Sequence, residues 1–159
     1  MGGMKKPPSG VEEYIMMNRK GIIVDIDGTV ATHYDVQGNQ LREHHDYKLV
    51  STDLPIQPII DLVQMYEAKG FHIIFVSGRM DHCRQDTIQW LLDHNVPFDE
   101  LFMRRFKDFR ADDIVKEEIY KNHIEPQYDI ELVLDDRNRV VEMWRRIGLR
   151  VLQVADGDF

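Results

Sequence analysis

Short apolar runs alternate with amphipathic stretches along most of the chain, and this alternation limits the possible folds more than any other feature. Runs of branched apolar residues are typical of buried strands, whereas apolar residues recurring once per helical turn are typical of helices. The runs predict strands over residues 22–24, 73–76, 101–103, 132–134 and 151–154. The spaced patterns predict helices over residues 55–69, 81–94, 111–123 and 139–147.

Strands that alternate with helices favour parallel pairing through right-handed crossovers. The sequence therefore predicts an α/β fold, a Rossmann-like parallel sheet sandwiched between helices. The pattern over residues 111–123 places Ile114, Val115 and Ile119 on the buried stripe of one helix. The polar residues 31–54 are expected to form a small flap after the first strand. The interval of about 19 residues between the segments at 116 and 135 leaves no room for a large cap.

The composition describes one globular domain with an acidic charge balance. A length of 159 residues fits a single core, with residues 1–20 as an N-terminal extension and 21–159 as the domain. A net charge of −8 argues against coating duplex nucleic acid through a broad basic face, although binding one strand end is compatible with it. Cys83 is the only cysteine, which excludes an intramolecular disulfide. Residues 1–20 hold no apolar run long enough for a signal peptide or membrane span, so we expect a cytoplasmic protein with no membrane association.

Two carboxylates one residue apart follow the first predicted strand, in Asp25-Ile26-Asp27-Gly28-Thr29. One carboxylate could attack phosphorus while the other protonates the leaving oxygen and later activates water. Gly28 would let the backbone approach a phosphate. The motif therefore favours covalent phosphoryl transfer, with a purely structural acidic turn as the alternative.

A calcium-binding loop is a further alternative for this motif, because its acidic residues match the odd-numbered ligand positions. Such a loop requires glycine at its sixth position and a bidentate glutamate at its twelfth. Val30 and Val36 occupy those positions, which excludes a calcium loop.

A second acidic pair, Asp135-Asp136, ends the fourth predicted strand. Ligands in parallel α/β sheets bind at the carboxyl ends of strands, so this pair is expected to lie beside Asp25. Carboxylate oxygens are hard ligands of the kind that Mg²⁺ prefers. The alternative is that Asp136 or Asn138 caps the next helix.

Two further segments offer cations and donors for phosphate oxygens. Ser77-Gly78-Arg79 ends the second predicted strand with a hydroxyl, a permissive backbone and a guanidinium, although such a turn is a weak signal alone. Lys116 lies within a predicted helix and could point inward as a cation, with an exposed lysine as the alternative.

The order of these motifs resembles the four-motif signature of haloacid dehalogenase (HAD) superfamily phosphatases. Residues 76–79, 112–118, 135–137, 140–148, 153–155 and 157–159 are also similar to the 3'-phosphatase domain of bacteriophage polynucleotide kinase/phosphatase proteins. The resemblance covers residues 21–159 and implies a HAD-like phosphatase domain.

This resemblance assigns roles to individual residues. It implies that Asp25 forms an aspartyl-phosphate, that Asp27 is the general acid and base, and that Ser77 and Lys116 hold the phosphoryl group. The implied magnesium ligands are Asp25, Asp135, Asp136 and the carbonyl of Asp27. The implied substrate-binding residues are Gly28, Thr29, Arg42, Gly78 and Arg79, with Arg42 assigned from its distance to Thr52-Asp53.

By the same resemblance, the function would be magnesium-dependent removal of 3'-phosphates from DNA or RNA ends during end repair. A nucleotidase of the same superfamily acting on mononucleotides, and a module that binds strand ends without turnover, are the alternatives. Expected partners are nucleic-acid 3'-phosphate ends or nucleotides, a kinase domain or a ligase of the same repair pathway, and a second copy of the chain. The compartment would be the host cytoplasm if the protein is viral.

Overall fold

A parallel sheet of five strands, in the order β5-β4-β1-β6-β7, forms the centre of the computed structural model, which describes residue 10 and residues 19–159. The predicted extension over residues 1–20 lies almost entirely outside the described residues. The strands are β1 (Lys20–Val24), β2 (Ala31–Thr32), β3 (Leu54–Pro55), β4 (His72–Met80), β5 (Glu100–Arg104), β6 (Asp129–Asp135) and β7 (Val151–Gln153). The α-helices are α1 (Gln57–Ala68), α2 (Arg84–Asp93), α3 (Asp112–Ile119) and α4 (Asn138–Arg146).

The residues of β1 alternate between two cores, one on each face of the sheet. Ile22 and Val24 pack in the core covered by α1 and α2, whereas Ile23 packs in the core that contains the buried residues of α4. The result is the three-layer sandwich that the alternation of strands and helices predicted, so the predicted α/β fold is confirmed.

The central position of β1 decides where a ligand can bind. The chain runs outward from β1 through β4 to β5, then returns to β6 on the other side of β1 and continues to β7. The strand order therefore reverses between β1 and β6, and such a switch point opens a crevice at the carboxyl ends of the strands. The register pairs Val24 with Leu134, so the residues that follow both strands leave the sheet side by side.

The segment predicted to be a flap is present as an insertion after β1, and most of it is exposed, but a few of its side chains are buried. β2 and β3 pair as a short antiparallel ribbon, and a 3₁₀ helix (Tyr47–Thr52) lies between them. Val50 packs in the core beside α1 and α2, and the charged residues Arg42 and Asp53 are also buried. The insertion therefore contributes side chains to the interior and not only to the surface.

Helix α3 is rotated relative to the stripe that its sequence predicts. Ile114, expected to be buried, is 49% exposed, whereas Lys116 is only 2% exposed and Val115 is buried. The prediction for Ile114 was wrong because the ammonium group of Lys116 finds carboxylate partners inside the protein. The helix continues from Ile119 into a π-helical turn, Tyr120–Ile124.

Within the described part of the chain, none of the helices has the length and apolar character needed to cross a membrane.

Candidate active site

A tight turn directs the first acidic pair away from the end of β1. The backbone N–H of Asp25 still belongs to the sheet and donates to the carbonyl of Leu134 at 2.9 Å. The next residues turn around the carbonyl of Ile26, which accepts bonds from the three N–H groups of residues 29–31. Gly28 adopts a φ of +80°, and a Cβ there would overlap the Asp136 carboxylate. Glycine is therefore required for the two acidic segments to lie this close.

Three buried carboxylates meet at the switch point between β1 and β6. Oxygen atoms of Asp25, Asp135 and Asp136 all lie within 4.8 Å of one another. Burial, together with the negative charges of Asp135 and Asp136, raises the pKa of Asp25 well above its usual value. Burial and the charge of Asp135 raise the pKa of Asp136 to about 6. Crowded carboxylates of this kind fit a divalent cation, and their hard oxygens are the ligand type that Mg²⁺ prefers.

Lys116 is the cation that links two of these carboxylates. Its Nζ donates to Asp25 Oδ1 at 2.8 Å and to Asp135 Oδ2 at 2.9 Å. Burial alone would lower the pKa of Lys116, but the charges of Asp135 and Asp25 raise it above its usual value, so the side chain stays charged. The Trp144 indole also donates to Asp135, at 3.2 Å, and fixes its orientation.

Asp27 does not join the carboxylate cluster, because two arginines hold its side chain. Arg79 donates to both carboxylate oxygens, at 2.8 and 3.0 Å, and Arg42 donates to one of them at 3.0 Å. Burial alone would raise the pKa of Asp27, but Arg79, followed by Arg42, lowers it to about 2. In this arrangement Asp27 is an ionised carboxylate at neutral pH.

Asp53 completes this group as a residue that the sequence interpretation did not assign to the site. Both arginines donate to it: Arg42 at 2.7 and 2.8 Å, and Arg79 at 2.7 Å. Two arginines and two aspartates therefore form a buried network in which the charges cancel. Trp90 anchors the segment by donating from its indole to the Asp53 carbonyl at 2.9 Å.

A cavity of about 600 Å³ opens over the carboxylates. Of the residues predicted to act, seven line it, namely Asp25, Asp27, Gly78, Arg79, Lys116, Asp135 and Asp136. The others lie behind this layer: the Thr29 hydroxyl donates to Asp25 at 3.2 Å, and Ser77 Oγ accepts from the backbone N–H of Arg79 at 3.1 Å. Gly28 leaves room for the Asp136 carboxylate, and Arg42 donates to the Asp27 carboxylate.

Asp112, at the start of α3, also lines the cavity and was missed. Its carboxylate pairs with Arg104 and, at 3.0 Å, with Arg137. A Cβ on residue 78 would overlap this carboxylate, so the absence of a side chain at Gly78 makes room for it. Asp112 precedes Lys116 by four positions, which places both on one helix face, and this spacing was the signal that could have revealed it.

The helix-capping alternative for the second acidic pair is wrong. Arg137 occupies the position before the first residue of α4, and no side chain caps the helix there.

Comparison with known proteins gives consistent matches. A sequence model of the family described as "Polynucleotide kinase PNKP phosphatase domain" matches residues 19–159. The chain is 28% identical over 131 residues to the protein described as "Putative bifunctional polynucleotide kinase/RNA ligase" of Autographa californica nuclear polyhedrosis virus, which covers 82% of this chain and 18% of that protein.

Two solved structures are also similar. They are described as "Structure of Pnkp1/Rnl/Hen1 complex", with a TM-score of 0.83 at 34% identity, and "Structure of the Pnkp1/Rnl/Hen1 RNA repair complex", with a TM-score of 0.82 at 35% identity. Each match covers 89% of this chain, but only 47% and 44% of the matched chains. The chain thus spans less than a fifth of the viral relative and less than half of the chains in these structures.

Proposed function

The chain belongs to the family of polynucleotide kinase PNKP phosphatase domains, and from this premise we propose that it is a magnesium-dependent polynucleotide 3'-phosphatase that acts on DNA or RNA ends. Membership confirms that the chain is a phosphatase and confirms the resemblance to HAD phosphatases. The observation that carries the finer proposal is the placement of two carboxylates in one cavity. Asp25 lies among the potential metal ligands. The side chain of Asp27 lies outside this cluster and accepts hydrogen bonds from Arg42 and Arg79.

The carboxylate cluster fits Mg²⁺ by its chemistry. Asp25, Asp135 and Asp136 would hold the ion, with the backbone carbonyl of Asp27 as a further proposed ligand. When bound, Mg²⁺ would neutralise negative charge on the carboxylates and on the phosphate.

In the first step, an Asp25 carboxylate oxygen attacks phosphorus. A bond forms between this oxygen and phosphorus, and the bond from phosphorus to the 3'-oxygen breaks. Asp27, which enters this step protonated once the substrate phosphate has displaced it from Arg79, gives its proton to the 3'-oxygen. In the protein without substrate, Lys116 contacts Asp25. From this position its positive charge would offset negative charge on the phosphoryl group. The nucleic acid leaves with a 3'-hydroxyl, and Asp25 carries an aspartyl-phosphate.

In the second step, water attacks the aspartyl-phosphate. Asp27, now ionised, takes a proton from that water, the bond between Asp25 and phosphorus breaks, and inorganic phosphate is released. Arg79 lines the cavity, so an incoming phosphate competes with Asp27 for its guanidinium. We infer that Arg79 moves toward the substrate phosphate, which would let Asp27 hold the proton that the first step requires.

The substrate and partners are proposed from the open cavity and from the relatives. Of the insertion after β1, only His44, His45 and Tyr47 line the cavity, and we infer that the cavity stays open enough to favour a strand end over a small metabolite alone. The names of the relatives refer to polynucleotide kinase, RNA ligase and an RNA repair complex, and we propose that this phosphatase acts with a kinase domain or a ligase in one repair pathway in the cytoplasm. Self-association stays a prediction.

The test compares 3'-phosphorylated DNA and RNA oligonucleotides with nucleoside 3'-monophosphates, with and without Mg²⁺. We expect a higher kcat/KM on oligonucleotides, and loss of phosphate release after chelation. Asp25→Asn should lower kcat at least about 1,000-fold, whereas Asp61→Asn, at an exposed position on α1, should have no effect. Equal or faster turnover of mononucleotides would refute the polynucleotide assignment, and an active Asp25→Asn variant would refute the nucleophile.

A further inference from the structure

Two exposed phenylalanines lie in the segment of residues 104–110, which begins at the last residue of β5 and leads to α3. This segment is called the rim loop below. Phe109 is 81% exposed and lines the mouth of the active-site cavity, and Phe106 is 55% exposed. The Phe106 ring contacts His82, another residue of the cavity wall, edge-on at 4.9 Å between ring centroids. Single exposed apolar residues are common, but these two phenylalanine rings lie within four residues of each other at the edge of the site, where they form an exposed apolar surface.

The rim loop is also basic in an acidic protein. It carries four cationic side chains and one acidic side chain, whereas the whole chain has a net charge of −8. Arg110 is engaged with Asp108 and Glu118, but Arg105 is exposed and the ammonium of Lys107 lies 5.5 Å from the centre of the Phe106 ring. Exposed aromatic rings interleaved with cations complement a polyanion that has flat rings of its own.

Arg104 keeps the rim loop in one shape from the inside. This buried side chain donates to the carbonyls of Gly78, at 2.9 Å, of Asp108, at 3.0 Å, and of Arg110, and it pairs with Asp112. Because the carbonyls of both neighbouring residues are bound, the backbone of Phe109 is fixed, and its side chain is exposed to solvent. A backbone fixed in this way loses little conformational entropy when a ligand stacks on the ring that it carries.

We propose that the rim loop is a stacking platform for the single strand that leads into the active site. The bases that precede the terminal 3'-phosphate stack on Phe109 and Phe106, while Arg105 and Lys107 contact the backbone phosphates between them. Unpaired bases expose their faces to such a platform, and every base offers one, so binding is tolerant of sequence. This inference rests on the proposed function. It adds a binding site for the nucleotides of the substrate that precede the terminal 3'-phosphate and do not take part in the reaction.

Binding to a catalytically inactive protein tests the platform separately from turnover. Fluorescence anisotropy with Asp25→Asn would measure the Kd of a labelled single-stranded oligonucleotide 3'-phosphate, and of the same strand with abasic sugars near its 3' end. Adding Phe109→Ala should weaken binding of the normal strand by about 5- to 100-fold. The abasic strand should change less than about two-fold, because it has no bases to stack. Phe109→Trp should retain affinity for the normal strand, and Met65→Ala, at an exposed site on α1, should change neither strand.

Salt dependence tests the cationic part of the platform. The double substitution Arg105→Gln and Lys107→Gln should flatten the plot of log Kd against log salt concentration by about 0.7 for each phosphate that the protein no longer neutralises. An unchanged slope, or an equal loss of affinity for normal and abasic strands with Phe109→Ala, would overturn the proposal.

Turnover distinguishes the two levels of inference. A stacking effect on binding in a protein that does not release 3'-phosphate would leave the platform standing and refute the proposed activity. Efficient turnover with no effect of Phe109→Ala on binding or on kcat/KM would refute the platform and leave the proposed activity standing.

Discussion

Removing either Arg42 or Asp53 should destabilise the protein nearly as much as removing both, because they belong to a buried network whose charges cancel. Arg42 and Arg79 each donate to Asp27 and to Asp53, and the side chains of all except Asp27 are fully buried. Asp53→Asn leaves two guanidinium groups against one carboxylate, and Arg42→Gln leaves the opposite imbalance. The double variant retains Arg79 and Asp27, whose charges still balance.

The magnitude follows from the bonds that each change removes. Losing one partner of a buried ion pair costs about 3–5 kcal/mol. Asp53 accepts three bonds of 2.8 Å or less, and Arg42 also donates to the carbonyls of Glu43 and His44, so each single change should cost about 4 kcal/mol. Additivity would then give about 8 kcal/mol for the double variant, whereas restored neutrality should hold it near 5, a coupling of about 3 kcal/mol.

Urea unfolding, followed by circular dichroism and tryptophan fluorescence, provides the measurement. In a chain of this size, each single variant should also lose about 8–16 °C in Tm. Equal m-values across the four proteins would support comparing their unfolding free energies directly. Single losses below about 1 kcal/mol, or a double loss equal to the sum of the singles, would show that the network is not a coupled unit.

Three further predictions concern the carboxylates of the cavity. Gly28→Ala and Gly38→Ala should both destabilise the protein because both glycines have a positive φ. Gly38→Ala should cost about 1 kcal/mol, and Gly28→Ala should cost more because its Cβ also overlaps the Asp136 carboxylate. Only Gly28→Ala should weaken Mg²⁺ binding, by at least about 10-fold in titration calorimetry. Equal Mg²⁺ affinities in the two variants would contradict this. Lys116→Met should lower kcat/KM by at least about 100-fold. The variant should nevertheless bind Mg²⁺ more tightly, because the substitution removes a competing cation from Asp25 and Asp135. Weaker Mg²⁺ binding would count against that reasoning. Mg²⁺ at 100 times its Kd should stabilise the wild type by about 2.7 kcal/mol, and a Tm unaffected by Mg²⁺ would argue against a metal site.

The framework of the site could be predicted because simple rules determine it. The apolar runs place β1 and β6 in a parallel sheet, and the acidic residues after them, Asp25 and Asp135, must leave at the same edge. Their proximity therefore followed from strand positions alone, whereas their catalytic roles stay proposals.

The charged interior could not be predicted from hydrophobic pattern. Periodicity treats a lysine as solvated, so it placed Ile114 inward and could not detect the carboxylates that draw in Lys116. For the same reason the polar segment 31–54 was interpreted as a flap, although Arg42 and Asp53 are buried in it. Ion networks of this kind depend on partners that are distant in sequence, and local patterns carry no information about them.

The internal bracing by Arg104 makes the rim loop a favourable place to retarget the enzyme. Two of its carbonyl contacts, to Asp108 and Arg110, are with the backbone of the loop, so they do not depend on which side chains point outward. Residues such as Phe109 could be exchanged in a combinatorial library while the carboxylates and Lys116 stay as they are. Natural variation could use the same freedom, so that substrate preference changes at the rim while the chemistry at the switch point is inherited unaltered.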